Sequence, residues 1–174
     1  LGVVCYTQKM HSELPPTDLR GYVQLETPAN AAVSKHIALN YPDGSPILRN
    51  GAQVFAVDNP MYLGPMIVSQ KSRPVRVKFT NFLPTGPAGN LPLPVDTTVM
   101  GAGMGPLDMP GMPGMKENYT QNRATLHLHG GLTPWISDGT PHQWITPVGE
   151  MTQYPKGVSV SNVPDMPDPG PGSQ

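Results

Sequence analysis

The chain is poor in charge and nearly without cysteine. Charged residues make up 13% of its 174 positions and the formal net charge is −1. Nothing in that balance points to electrostatic capture of nucleic acid or of an anionic membrane surface. The single cysteine, Cys5, excludes an internal disulfide. In Gly2-Val3-Val4-Cys5-Tyr6 it reads as a small buried strand residue. No apolar run approaches the roughly 20 residues that a membrane-spanning helix needs. No secretory leader is visible, and the chain starts at Leu1 rather than Met, so processing or incomplete representation is expected.

Turn-forming residues, by contrast, are plentiful. The 23 prolines and 19 glycines argue against long helices and for short strands joined by turns and long loops. With 37% hydrophobic residues the chain can build one core, so one domain, or one domain with extensions, is expected. An all-β sandwich is the natural architecture.

The most informative stretch is Thr125-Leu126-His127-Leu128-His129-Gly130-Gly131. As a strand it turns Ala124, Leu126 and Leu128 to one face and Thr125, His127 and His129 to the other. The two imidazoles then project together, roughly 7 Å apart. That spacing suits two ligands for one metal or for two adjacent metals, and imidazole suits copper, zinc, nickel or iron. A bare His-x-His also fits an incidental pair on a strand edge. No further ligand lies nearby in sequence, so a metal site has to be completed from elsewhere.

The longer string is more specific. His127-Leu128-His129-Gly130-Gly131-Leu132-Thr133-Pro134, then Ser137-Asp138-Gly139 and Pro141, resembles the first copper-ligand segment of multicopper oxidases. The likeness is greatest to the bacterial laccase branch of spore-coat laccase and bilirubin-oxidase-like proteins, in its N-terminal cupredoxin domain. It extends over somewhat more than half of the chain, residues 10–22 and 63–147. Leu14-Pro15-Pro16 leading to Gly21-Tyr22 resembles the family's opening. Gly64-Pro65-Met66-Ile67 followed by Val75-Arg76-Val77 and Asn81 resembles the start of its cupredoxin strands. Leu91-Pro92-Leu93-Pro94-Val95-Asp96-Thr97-Thr98 resembles a loop of the spore-coat branch.

Other segments are read from their residues. Leu1 to Tyr6 is expected as an edge strand. Residues 23–62 depart from the family pattern and read as an inserted hairpin, signalled by Asp43-Gly44 between β-prone runs. Arg73 to Phe82 alternates as a strand with Val75, Val77 and Phe79 inward. Residues 83–121 read as a long loop rich in Pro, Gly and Met. Its methionines 100, 104, 109, 112 and 115 could take Cu(I), although packing on irregular surface is the preferred reading. Asn118-Tyr119-Thr120 fits a glycosylation sequon. His142 to Thr146 is expected as a strand, with Trp135 and Trp144 as packing residues. His11, His36 and His142 read as structural or surface histidines. Residues 155–174 form a loop tail that looks like a break inside a surface loop.

The resemblance implies a cupredoxin-like Greek-key β-sandwich that is incomplete over 1–174, the N-terminal part of a larger oxidase. It implies four coppers in the complete enzyme and one-electron oxidation of phenols, bilirubin-like compounds or metal ions, coupled to four-electron reduction of dioxygen to water. His127 and His129 would serve the trinuclear cluster, and Asp138 would orient water and supply protons. Asp138 also fits a plain Asp-Gly turn. The family's second His-x-His of this domain and its His-Cys-His blue-copper segment are absent, since Cys5 has only His11 nearby. The expected partners are therefore the remainder of the oxidase carrying those ligands, dioxygen and a small-molecule reductant, with no nucleic acid and no membrane span. A secreted, periplasmic, or spore- or cell-surface location is expected. Two other readings stay open: a stand-alone copper-binding or carrier module using His127, His129 and the methionines, and a structural domain whose histidines are incidental.

Overall fold

The strand Gly2–Gln8 (β1) carries Val3 and Val4 into the interior, and its neighbours explain how. In the computed structural model, which describes residues 1–161, Thr17–Val23 (β2) pairs antiparallel with β1 in an unbroken register from Gly2↔Val23 to Gln8↔Thr17. Then come four two-residue strands, Ile37–Ala38 (β3), Leu48–Arg49 (β4), Ala52–Gln53 (β5) and Phe55–Ala56 (β6). Thr80–Asn81 (β7) runs parallel to β1, so the sheet order is β2-β1-β7. The Leu1–Tyr6 segment, expected at a sheet edge, is thus the middle strand. Its consecutive apolar residues suit that place better than an edge, where one ladder side stays unpaired.

Residues 23–62 fold as nested pairs, β3 with β6 outside and β4 with β5 inside. Leu39 N donates to Val54 O (3.0 Å), Ile47 N to Leu39 O (2.9 Å) and Val54 N to Ile47 O (2.9 Å). Two tight turns close the nest. Asp43 Oδ1 accepts from Ser45 N at 2.9 Å, with Gly44 at φ +85°. Asn50 and Gly51, at φ +53° and +81°, make the β4–β5 reversal, a conformation that Asn-Gly tolerates well. Leu39, Ile47, Val54 and Ala56 from this nest join Val4, Val23 and Phe82 in one buried cluster. Fully burying each large aliphatic side chain stabilises by about 1.5–3 kcal/mol. Residues 23–62 are therefore core material.

The alternation of Val75, Val77 and Phe79 does not become a buried strand. Val75 and Val77 are 50% and 42% exposed. Only Thr80–Asn81, at the end of that run, enters a ladder among the described residues.

Leu1–Leu83 forms one unit, and residues 84–161 belong to a second. There, Met104–Met109 (β8) and Met112–Asn118 (β9) form an irregular hairpin with Asp108 opposite Lys116. The stretch 83–121 thus contains regular structure that was not anticipated. The Tyr154 hydroxyl accepts from Leu107 N at 2.8 Å, and its ring fills the space beside Gly105, where an added Cβ would lie 2.2 Å from it. Ile145 bridges to Ala124 on one side and to Lys156 on the other. The tail expected over 155–174 lies, from residue 162 onward, outside the described residues. Strands and short 3₁₀ turns make this an all-β chain consistent with a cupredoxin-like fold; among the described residues there is no α-helix and no sheet closes into a barrel. No helix among the described residues is long and apolar enough to cross a membrane.

Candidate metal centre

Both histidines stand just beyond the Ala124–Ile145 bridge, where Ala124 and Ile145 exchange backbone hydrogen bonds at 3.0 Å. The expected strand through His129 is reduced to that bridge: residues 125–128 join no ladder and the chain then turns, Gly130 taking φ +74°. Leu126 is half-buried as expected, but Leu128 is 57% exposed. It packs locally over Gly131 instead of entering a core.

What fixes His127 is the loop that follows. Its Nδ1 lies 2.6 Å from the backbone carbonyl oxygen of Asp138 and 3.3 Å from Asp138 Oδ1. A carbonyl oxygen can only accept, so Nδ1 is the protonated nitrogen and the Nε2 lone pair is left for a ligand. Gly139, at φ +70°, permits this approach: a Cβ there would fall 1.6 Å from Leu126 O. The loop is in turn tied down by Gln143, which is buried. Gln143 Nε2 donates to Ile136 O (2.7 Å), and its Oε1 accepts from Thr140 N (2.9 Å).

The His127 and His129 rings are 5.5 Å apart, centroid to centroid, and inclined at 75°. His127 and Asp138 side chains are 48% and 39% exposed, so the pair is open to a further ligand source. The structure therefore sets both other residues singled out from the sequence, His129 and Asp138, beside His127. Among the described residues, no three His, Cys, Asp or Glu side chains gather into a metal-holding group. Two imidazoles, one of them with its Nε2 lone pair free, are a partial donor set for a transition metal.

The other candidates are engaged locally. His11 Nδ1 accepts from Glu13 N at 3.2 Å. His36 stacks on Phe55 at 3.8 Å, with its Nδ1 3.0 Å from both Glu26 carboxylate oxygens. His142 is exposed, and its carbonyl accepts from Val158 N at 2.8 Å. Cys5 faces Arg20 across the β1–β2 register, and burial pushes its thiol pKa up. Of the methionines, Met100, Met104, Met112 and Met115 are exposed. Trp144 packs against Tyr119, but Trp135 is 67% exposed and so is not the packing residue expected of it.

Arg123 was not anticipated. Its guanidinium carbon lies 4.5 Å from the Tyr119 ring centroid and 5.1 Å from that of Trp144. Tyr119 is a near neighbour in sequence, but Trp144 is distant and leaves no local pattern by which to find the stack.

Over 146 residues, 84% of its length, the chain is 25% identical to a laccase of Bacillus subtilis (strain 168). The match spans 18% of that protein, so the chain corresponds to less than a fifth of it. No protein-family profile matches the chain. No solved structure matches it either.

Proposed function

We propose that this chain is the N-terminal portion of a laccase-like multicopper oxidase, in which His127 and His129 supply one His-x-His pair to a trinuclear copper cluster. The observation that carries the reading is the His127 Nδ1 contact with the Asp138 carbonyl, which fixes the ring and leaves Nε2 as the ligand atom. The similarity to a laccase supports a copper oxidoreductase relationship. Copper, when bound, would accept and pass on single electrons, so that substrate oxidation could be coupled to reduction of dioxygen to water. The chain's own residues would bind, orient and move protons. His127 would ligate through Nε2 and His129 through its ring beside it. The Asp138 carbonyl holds the tautomer, while its half-exposed carboxylate is suited to relay protons near the ligand face.

Because two imidazoles do not saturate a copper, the remaining ligands have to come from the rest of the oxidase. Those are the other His-x-His pairs and the His-Cys-His segment. A secreted, periplasmic, or spore- or cell-surface setting belongs to the same proposal, as do a small-molecule reductant and dioxygen as substrates.

Intact mass and copper analysis on native material test the reading. The expected result is four coppers together with a polypeptide carrying His-Cys-His, intense blue colour and oxidation of phenolic dyes. About one copper on the isolated chain, with no oxidase activity, would instead identify a stand-alone copper carrier and overturn the oxidase.

A further inference from the structure

Within residues 84–161, a cleft of about 500 Å³ opens beside the start of the histidine segment. Its walls include Leu91, Val95, Met100 and Trp144, with Arg123 and Thr125 among them. That volume lies in the range of small-molecule sites, which are mostly apolar with a few placed polar groups.

Arg123 gives the cleft its chemistry. Nε donates to Thr120 O (2.9 Å) and Nη2 to Gly101 O (2.8 Å), and the guanidinium lies over Tyr119 and Trp144. All of these partners are neutral. Among the described residues no carboxylate forms an ion pair with it. Burial draws its pKa down, with Tyr119 opposing, but a guanidinium keeps its proton in proteins. A partly buried positive charge without a counter-ion favours an anion. Of its five N–H donors these two contacts use two, and the guanidinium fork matches a carboxylate.

We propose that this cleft binds a small aromatic carboxylate, its anionic end on the Arg123 guanidinium and its ring against Trp144 and the apolar wall. The site uses no metal and does not depend on the copper reading.

Calorimetric titration of the copper-free chain with benzoate, benzamide and acetate tests it. Benzoate is expected to bind saturably, one per chain. Benzamide lacks the charge and acetate lacks the ring, so each should bind roughly tenfold to a hundredfold more weakly. Arg123→Gln should weaken benzoate by a similar factor, and Arg123→Lys by less. If Arg123→Gln does not fold, the three ligands on the unaltered chain decide the matter. No saturable benzoate binding, equal affinity for benzamide or acetate, or unchanged affinity in a folded Arg123→Gln chain would overturn the proposal.

Discussion

The imidazole of His127 is held by the backbone of Asp138, Nδ1 to carbonyl oxygen at 2.6 Å, more closely than by its carboxylate at 3.3 Å. Tautomer control therefore survives loss of the Asp138 charge. In long-range ¹H–¹⁵N spectra near pH 8, His127 should show a protonated Nδ1 and a bare Nε2, both in the unaltered chain and in Asp138→Asn. A His127 spectrum with the proton on Nε2 contradicts this geometry.

Gly139→Ala should damage the same contact through the backbone. A left-handed conformation costs an ordinary residue about 1–2 kcal/mol. The added Cβ would also meet Leu126 O at 1.6 Å, so the loop has to move. The expected outcome is a lowered denaturant midpoint together with loss of the His127 Nδ1–H signal. Unchanged values for both would show that the close approach is dispensable.

Ile47→Ala tests whether residues 23–62 are decoration or core. Ile47 is 1% exposed and packs in the cluster with Val4, Val23 and Phe82. Removing it should cost about 2–5 kcal/mol, the range for large-to-small changes at well-packed sites. Equilibrium urea unfolding measures the loss, and a change within a few tenths of a kcal/mol would mean that the nest packs independently of the β1–β2 sheet.

Glu26 makes part of the acid sensitivity assignable. Hydrogen bonds from Ser34 and then from His36 hold its carboxyl below its ordinary value. A carboxylate with a depressed folded pKa contributes its full stability above about pH 4.3. That contribution fades as the pH falls through the lowered folded value. Glu26→Gln should accordingly flatten the loss of stability as the pH falls below about 4.3, while the similarly lowered Asp43, Asp58, Asp96 and Asp108 leave a residual slope in both proteins. Identical acid profiles in urea unfolding would exclude the Glu26 contribution.

The all-β class was legible in the proline and glycine content, and the Asp43-Gly44 turn in its dipeptide. Asn50-Gly51 is an equally strong hairpin signal, yet it escapes a pattern reading because its flanking strands are two residues each, too short to show alternation. At Val75, Val77 and Phe79 the alternation is real, but a period of two shows only that two faces differ and not that one is covered. For the candidate metal site, residue types and spacing pointed to His127 and His129, and Asp138 was singled out only through the resemblance to multicopper oxidases. That the carbonyl of Asp138 makes the tight contact depends on Gln143 and Gly139 shaping the loop, a tertiary matter.

The parallel pairing of β7 with β1 joins Gly2 to Thr80, whereas β1–β2 and the nested pairs close over short spans. Long-separation contacts incur their loop-closure entropy before they return any stabilisation. Refolding should therefore begin in the local hairpins, with the two-residue docking of Thr80–Asn81 as a late event. Destabilising that ladder should speed unfolding and leave the refolding rate nearly untouched.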